Sequence, residues 1–300
     1  MSTAELVARV KNRSPRWAKD AANGLTRAYA VRTADRRHLP DFLIIGAKRA
    51  GTTSLWNYLL QSPLVMPMYP ASRGIKSPGY FYVNHHRGDD WYRSHFATEQ
   101  ELDRLEAALG HRPVTGEACP YYMYYEPTVE RVRALLPDVK IIVSLRDPVR
   151  RAYSHYWERV GAGTEHLGFE EALAAEPERL RGEREKMAAD PGYYSRAHDF
   201  FTYRDRGIYA PQLEPWLEAF PRERFLIVAA EDMYRDEQAA MDRVTAFLGL
   251  PPHPLRVARR HNHLPAPPMN ADTRDELVEF YRPHNRRLHT LLGTDFGWPA

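Results

Sequence analysis

Cysteine is nearly absent from this 300-residue chain: Cys119 stands alone, which excludes an internal disulfide and any metal site built on several thiolates. No run of about 18 apolar residues occurs, so no transmembrane helix is expected. The first residues, MSTAELVARVKNRS, lack the apolar stretch of a secretory signal. These two absences set the expectation of a cytoplasmic protein without stable membrane insertion. An excess of one charge is also lacking. The 42 basic and 39 acidic residues leave a net +3, too little to argue for a nucleic-acid partner. Lysine is scarce. Arginine makes up most of the basic residues and supplies planar forks suited to phosphate or sulfate groups.

What is present fits a globular chain, 43% apolar and 12% aromatic, long enough for one large α/β domain or two small ones. It is organised around Asp41–Leu60, DFLIIGAKRAGTTSLWNYLL. The apolar run Phe42–Ile45 reads as a strand buried on both faces. A short loop, Gly46 to Gly51, leads to Thr52, Thr53 and Ser54 and then to a helical pattern with Leu55, Tyr58 and Leu59 on one side. Strand, glycine-bounded loop and helix start form an anion cradle, with backbone N–H groups and the helix dipole aimed at the ligand. The spacing matches most of a P-loop, G-x-x-x-x-G-K-[ST], except that Thr52 replaces the lysine that reaches the β- and γ-phosphates. The positive charges sit inside the loop instead, at Lys48 and Arg49. That pattern opposes a Mg-nucleoside triphosphate and therefore a P-loop kinase. An ordinary βα turn carries similar glycines, so the cradle needs support elsewhere in the chain.

Residues 1–39 are basic and weakly helical, and read as an arm or peripheral helix. After the cradle, 62–67 form a short second strand, and a polar, aromatic loop follows with Lys76, His85 and His86. Adjacent histidines rarely converge on one ion and no third ligand stands out, so no metal is expected. Glu117 ends a short strand, where either a catalytic carboxylate or a salt-bridge partner is at home. Val139–Leu145 is a clear buried strand that runs into Arg146-Asp147-Pro148 and the helix Val149–Val160, which carries Ser154. Arg146 and Ser154 can face the crevice beside the cradle, as a second anion site. Residues 161–205 are hydrophilic and read as a lid or variable insertion. Then come an amphipathic helix opened by Arg206–Tyr209, the strand Arg224–Val228, a helix Met241–Leu248, the basic segment Arg256–His263 and a last helix Thr273–Leu292. The whole predicts an α/β, P-loop-like three-layer fold with a central parallel sheet flanked by helices, in a single domain over 40–300.

Three stretches, GAKRAGTTSL, SLRDPVRRAYSHY and RGIYAPQLEPWLEAF, resemble the sulfotransferase family that uses 3′-phosphoadenosine-5′-phosphosulfate (PAPS). NHHRGDDWYRSHF, GEACPYY and FYRPHNRRLHTLLGTDFGW resemble the branch of heparan sulfate N- and O-sulfotransferases and their bacterial relatives. The resemblance implies PAPS as co-substrate, PAP as product, and a small-molecule or glycoconjugate acceptor. It implies that Lys48, Arg49, Ala50, Gly51, Thr52, Thr53 and Ser54 hold the 5′-phosphosulfate. Arg146 and Ser154 would take the 3′-phosphate, and Arg259, Arg260 and His261 lie in a late loop that wraps the nucleotide in relatives. Lys76, His85, Tyr122 and Tyr209 are the implied acceptor contacts. Two positions depart from the branch. Arg49 stands where lysine is usual, with Lys48 beside it to share the role. Ser77 stands where the catalytic glutamate follows Lys76. Glu117 and His86, and behind them His85 and His155, are the candidate replacements as proton acceptor. A protein that binds PAPS or PAP without catalysis is the alternative.

Overall fold

The computed structural model describes residues 16–190, 192–257 and 266–299. Five strands make one sheet: β1 (Phe42–Gly46), β2 (Val65–Met66), β3 (Val114–Ala118), β4 (Lys140–Leu145) and β5 (Phe225–Ala229). Their order is β2-β3-β1-β4-β5, and every neighbouring pair is parallel. Helices cover both faces, which is why β1, at the centre, is apolar and buried along its length. Leu43 pairs with Glu117 on one side and Ile141 on the other. Gly116 lets β3 lie against the Phe42 ring, since a Cβ there would fall 2.4 Å from the ring carbons.

This order fixes where a ligand can sit. From β1 the chain moves to β2 and β3 on one side, and β4 and β5 follow on the other. The reversal lies between β1 and β4. A doubly wound sheet opens a crevice there, at the carboxyl ends of the strands. Both the cradle after β1 and Arg146 after β4 emerge at that point.

The longer helices are α1 (Arg16–Arg32), α2 (Thr52–Leu59), α3 (Glu99–Leu109), α4 (Thr128–Leu135), α5 (Pro148–Gly161), α6 (Phe169–Leu180), α7 (Ala210–Ala219), α8 (Glu237–Leu248) and α9 (Ala271–Leu292). The start of α5 is built by its own sequence. Asp147 caps it, accepting the Val149 N–H at 2.9 Å, and Pro148 opens the first turn. The expected apolar face of α9 is observed, with Leu277, Tyr281 and Leu288 buried. A second apolar cluster joins α5, α6 and α9 through Val149, Tyr156, Phe169, Leu173, Leu277 and Tyr281.

Two basic side chains of the 1–39 segment are packed on the domain. Arg27 donates to the Tyr69 carbonyl at 3.0 Å and the Ser94 hydroxyl at 2.8 Å, and buried Arg37 donates to the Phe96 carbonyl at 2.6 Å. In 161–205, α6 is followed by short helices Glu183–Ala189 and Arg196–Phe200. Glu176 accepts the backbone N–H groups of Arg204 and Asp205 at 2.7 and 2.8 Å, which ties helix α6 to the far end of this polar stretch.

Candidate active site

The cradle is tied to the strand beside it. The Ala47 N–H donates to the Ser144 carbonyl at 2.6 Å, and the Ser144 hydroxyl donates to the Ala50 carbonyl at 2.5 Å. The loop tightens through two left-handed residues, Arg49 with φ 73° and Gly51 with φ 83°. At Gly51 a side chain has no room, because a Cβ would stand 2.6 Å from Met233 and 2.9 Å from the Tyr234 hydroxyl. Helix α2 then begins at Thr52, presenting its positive end to the crevice. Ser54 is buried, and its hydroxyl shares a 3.1 Å hydrogen bond with Tyr234.

Four cations gather at this loop. Arg49 Nε donates to Ser154 Oγ at 3.1 Å, and Arg146 Nη1 donates to the Arg49 carbonyl at 3.2 Å. Lys76 Nζ donates to Thr53 Oγ1 at 2.9 Å. Lys48 Nζ donates to the Asp199 carbonyl at 3.0 Å and pairs with its carboxylate at 3.2 Å. All four line a cleft of about 960 Å³, together with Gly51, Thr52, Thr53 and Ser154. That is ample for a nucleotide. Burial pushes Lys48 down to about 8, helped by the nearby Arg206 and opposed by Asp199. Burial likewise lowers Arg49, Lys76 and Arg146, with Glu158 pulling the first two back up and Glu231 the third. Desolvated cations with few counter-ions form a site that gains by taking up a polyanion.

The structure thus brings together Lys48, Arg49, Gly51, Thr52, Thr53, Lys76, Arg146 and Ser154, with Ala50 and Ser54 buried beneath them. It does not bring Glu117, His85, His86, His155, Tyr122 or Tyr209 to the cleft wall. Glu117 is 0% exposed and accepts the Tyr92 hydroxyl at 2.8 Å, and burial raises its carboxyl to about 7 against the hydroxyls of Tyr92, Ser77 and Tyr122. His86 is exposed on a short 3-10 turn, and His85 packs edge-on against Tyr80. His155 is fully buried, its pKa held well below the usual histidine range by burial and by Lys48, Arg151 and Arg206. Tyr122 is buried and accepts the Phe81 N–H at 3.3 Å. Tyr209 is buried, and its hydroxyl donates to the Arg146 carbonyl at 2.7 Å, which makes it a strut behind the cleft. Arg259, Arg260 and His261 lie outside the described residues. Ser77 accepts the Gly79 N–H at 2.9 Å and so serves its own turn.

Sequence reasoning passed over Asp199 and Glu158. Nothing local marks Asp199, which reaches Lys48 across 151 positions. Glu158 does carry a signal: it lies four residues after Ser154 on α5, on the same helix face.

A parallel α/β sheet with a P-loop-like cradle at its switch point, Thr52 standing in place of the P-loop lysine, defines an α/β protein of the P-loop-like class. Within that class the chain belongs to the sulfotransferase domain family, which residues 39–277 match. It is 28% identical to human bifunctional heparan sulfate N-deacetylase/N-sulfotransferase 3 over 87% of its length. It is also 28% identical to mouse heparan sulfate glucosamine 3-O-sulfotransferase 3B1, over 88%. It spans 30% of the first relative and 66% of the second. The fold superimposes on a sulfotransferase from Alicyclobacillus acidocaldarius with a TM-score of 0.65 and 29% identity, covering 87% of this chain and 98% of that one. No described helix is long and apolar enough to cross a membrane, and among the described residues no group of three or more His, Cys, Asp or Glu could hold a metal ion.

Proposed function

We propose that this protein transfers a sulfuryl group from PAPS to a hydroxyl or amine on a carbohydrate, glycolipid or other small-molecule acceptor. The observation that carries the reading is the convergence of Lys48, Arg49, Lys76 and Arg146 with Ser154 on one cleft at the start of α2. The side chains closest to the cradle are mainly donors, which suits a ligand with anionic groups at two positions. Lys48 to Ser54 would hold the 5′-phosphosulfate, and Arg146 with Ser154 the 3′-phosphate. The Arg49–Ser154 and Arg146–Arg49 hydrogen bonds join the two subsites into one network.

Bound PAPS supplies an activated sulfuryl group and a phosphate leaving group. The protein's share is alignment and charge. Arg49, Lys48 and Lys76 offset negative charge that builds on the bridging oxygen as the sulfur–oxygen bond breaks. Arg49 does this as a permanent cation and not as an acid. The names of the relatives make glucosamine-containing glycoconjugates the first acceptors to test. The reading includes the cytoplasmic site expected from the sequence, which fractionation of the tagged protein checks. Calorimetry with PAP and with ATP tests the nucleotide site. PAP binding in the micromolar range, with ATP at least about tenfold weaker, is expected. Tight ATP binding without PAP binding overturns the reading.

A further inference from the structure

Sulfuryl transfer needs a group to take the acceptor's proton, and Ser77 cannot supply it. Among the described residues, three carboxylates line the cleft: Asp147, Glu158 and Asp275. Asp147 is committed to the α5 cap, accepting the Val149 N–H with one oxygen, and its other oxygen lies 3.7 Å from Arg150. Asp275 is exposed and pairs with its neighbour Arg274 at 2.8 Å.

Glu158 differs from both. Its Oε1 accepts Arg159 Nη2 at 2.7 Å, which fixes the carboxylate, while its Oε2 is buried and has no hydrogen-bond partner among the described residues. Arg159 is itself braced, its guanidinium 4.5 Å from the centre of the Phe200 ring. Glu158 follows Ser154 by one helical turn, about 6 Å along the α5 axis. Ser154 is the residue that Arg49 touches. The charge of Glu158 is felt at Lys48, Arg49 and Lys76, where it opposes the effect of burial. A buried carboxylate oxygen left without a hydrogen bond costs free energy unless something else uses it.

We infer that Glu158 is the general base of this enzyme, occupying from α5 the role that Ser77 leaves vacant. This rests on the sulfuryl-transfer reading above. In the step, the acceptor oxygen or nitrogen forms a bond to sulfur as the bond from sulfur to the 5′-phosphate oxygen breaks. The electron pair of that bond stays on the phosphate, beside Lys48, Arg49 and Lys76. The acceptor's proton passes to Glu158 Oε2, and the neutral acid later returns it to water.

The test is Glu158→Gln, which keeps shape and removes the basic oxygen. PAP release from PAPS counts each turnover, whether a glucosamine oligosaccharide, p-nitrophenol or water accepts the group. With the oligosaccharide, kcat should fall by about 100-fold or more. The loss should be smaller with p-nitrophenol, which is partly ionised at neutral pH and needs less help. PAP binding, read by calorimetry, should hold or tighten, because a negative charge has left the cleft. Glu158→Asp, which keeps the charge on a shorter stem, should recover part of the rate. A Gln variant within about threefold of the wild-type rate, or one whose PAP affinity falls in parallel with its rate, overturns the assignment. A wild-type protein that neither binds PAP nor releases it from PAPS fails the sulfuryl-transfer reading itself.

Discussion

Arg49 and Glu117 show how far single residues can be read. Arg49 was legible because its charge sits inside a glycine-bounded loop next to hydroxyls, all neighbours in sequence. Its left-handed backbone was not legible. That conformation costs a non-glycine residue about 1 kcal/mol. It is held because the side chain binds Ser154 and the carbonyl binds Arg146. Glu117 carries the opposite lesson. A strand-end position says where a side chain lies along the strand, but not which face it takes, since faces alternate with every residue. Here Glu117 turns into the interior, under Tyr92. Its carboxyl is raised by burial from 4.5 to about 7, so the folded state holds a proton that the unfolded chain has already lost. Stability from this group is full below the unfolded value and declines as pH rises through about 7. Glu117→Gln, which mimics the neutral form, should therefore match the wild type near pH 4.5 and exceed it by roughly 1–3 kcal/mol at pH 8. Denaturant melts at the two pH values check this. A variant less stable than the wild type at both would mean that the buried carboxyl is tuned otherwise.

Local elements obeyed local rules wherever the sequence carried a complete signal. Strands β1, β4 and β5 are mainly apolar runs, and each is visible as such in the sequence. Strand β2 is only two residues long and was seen mainly through its flanking prolines. The cradle depends on a steric fact that no pattern states: Gly51 is required both by its φ of 83° and by the side chains of Met233 and Tyr234 pressed against it. Gly51→Ala should thus lower stability by about 1–3 kcal/mol and weaken PAP binding at least about tenfold. Thermal melts and calorimetry read the two effects separately, and an unchanged PAP affinity would show that the loop conformation is not what binds. The polarity of 161–205 predicts a lid or insertion. Its polar groups meet partners that are distant in sequence. Glu165 is held by Arg179, 14 positions on, and Glu176 by backbone 28 and 29 positions away. Composition registers the charges and is blind to such pairings.

At the scale of the whole molecule, the reversal of strand order between β1 and β4 explains why motifs about 100 residues apart act together. It sets Arg49 against Ser154 across 105 positions and Arg146 against Arg49 across 97. The sequence supplied the parts in their order, and the family resemblance supplied their relation. The contact of Asp199 with Lys48 needed the fold. The central claim is that this cleft transfers a sulfuryl group with Arg49 as the charge that stabilises it. The most direct measurement follows labelled sulfur from PAPS into product for the wild type and Arg49→Ala. The expected result is a rate lower by about 100-fold or more in the variant, with PAP affinity reduced by much less. An Arg49→Ala protein that transfers sulfur within a few-fold of the wild-type rate would contradict it.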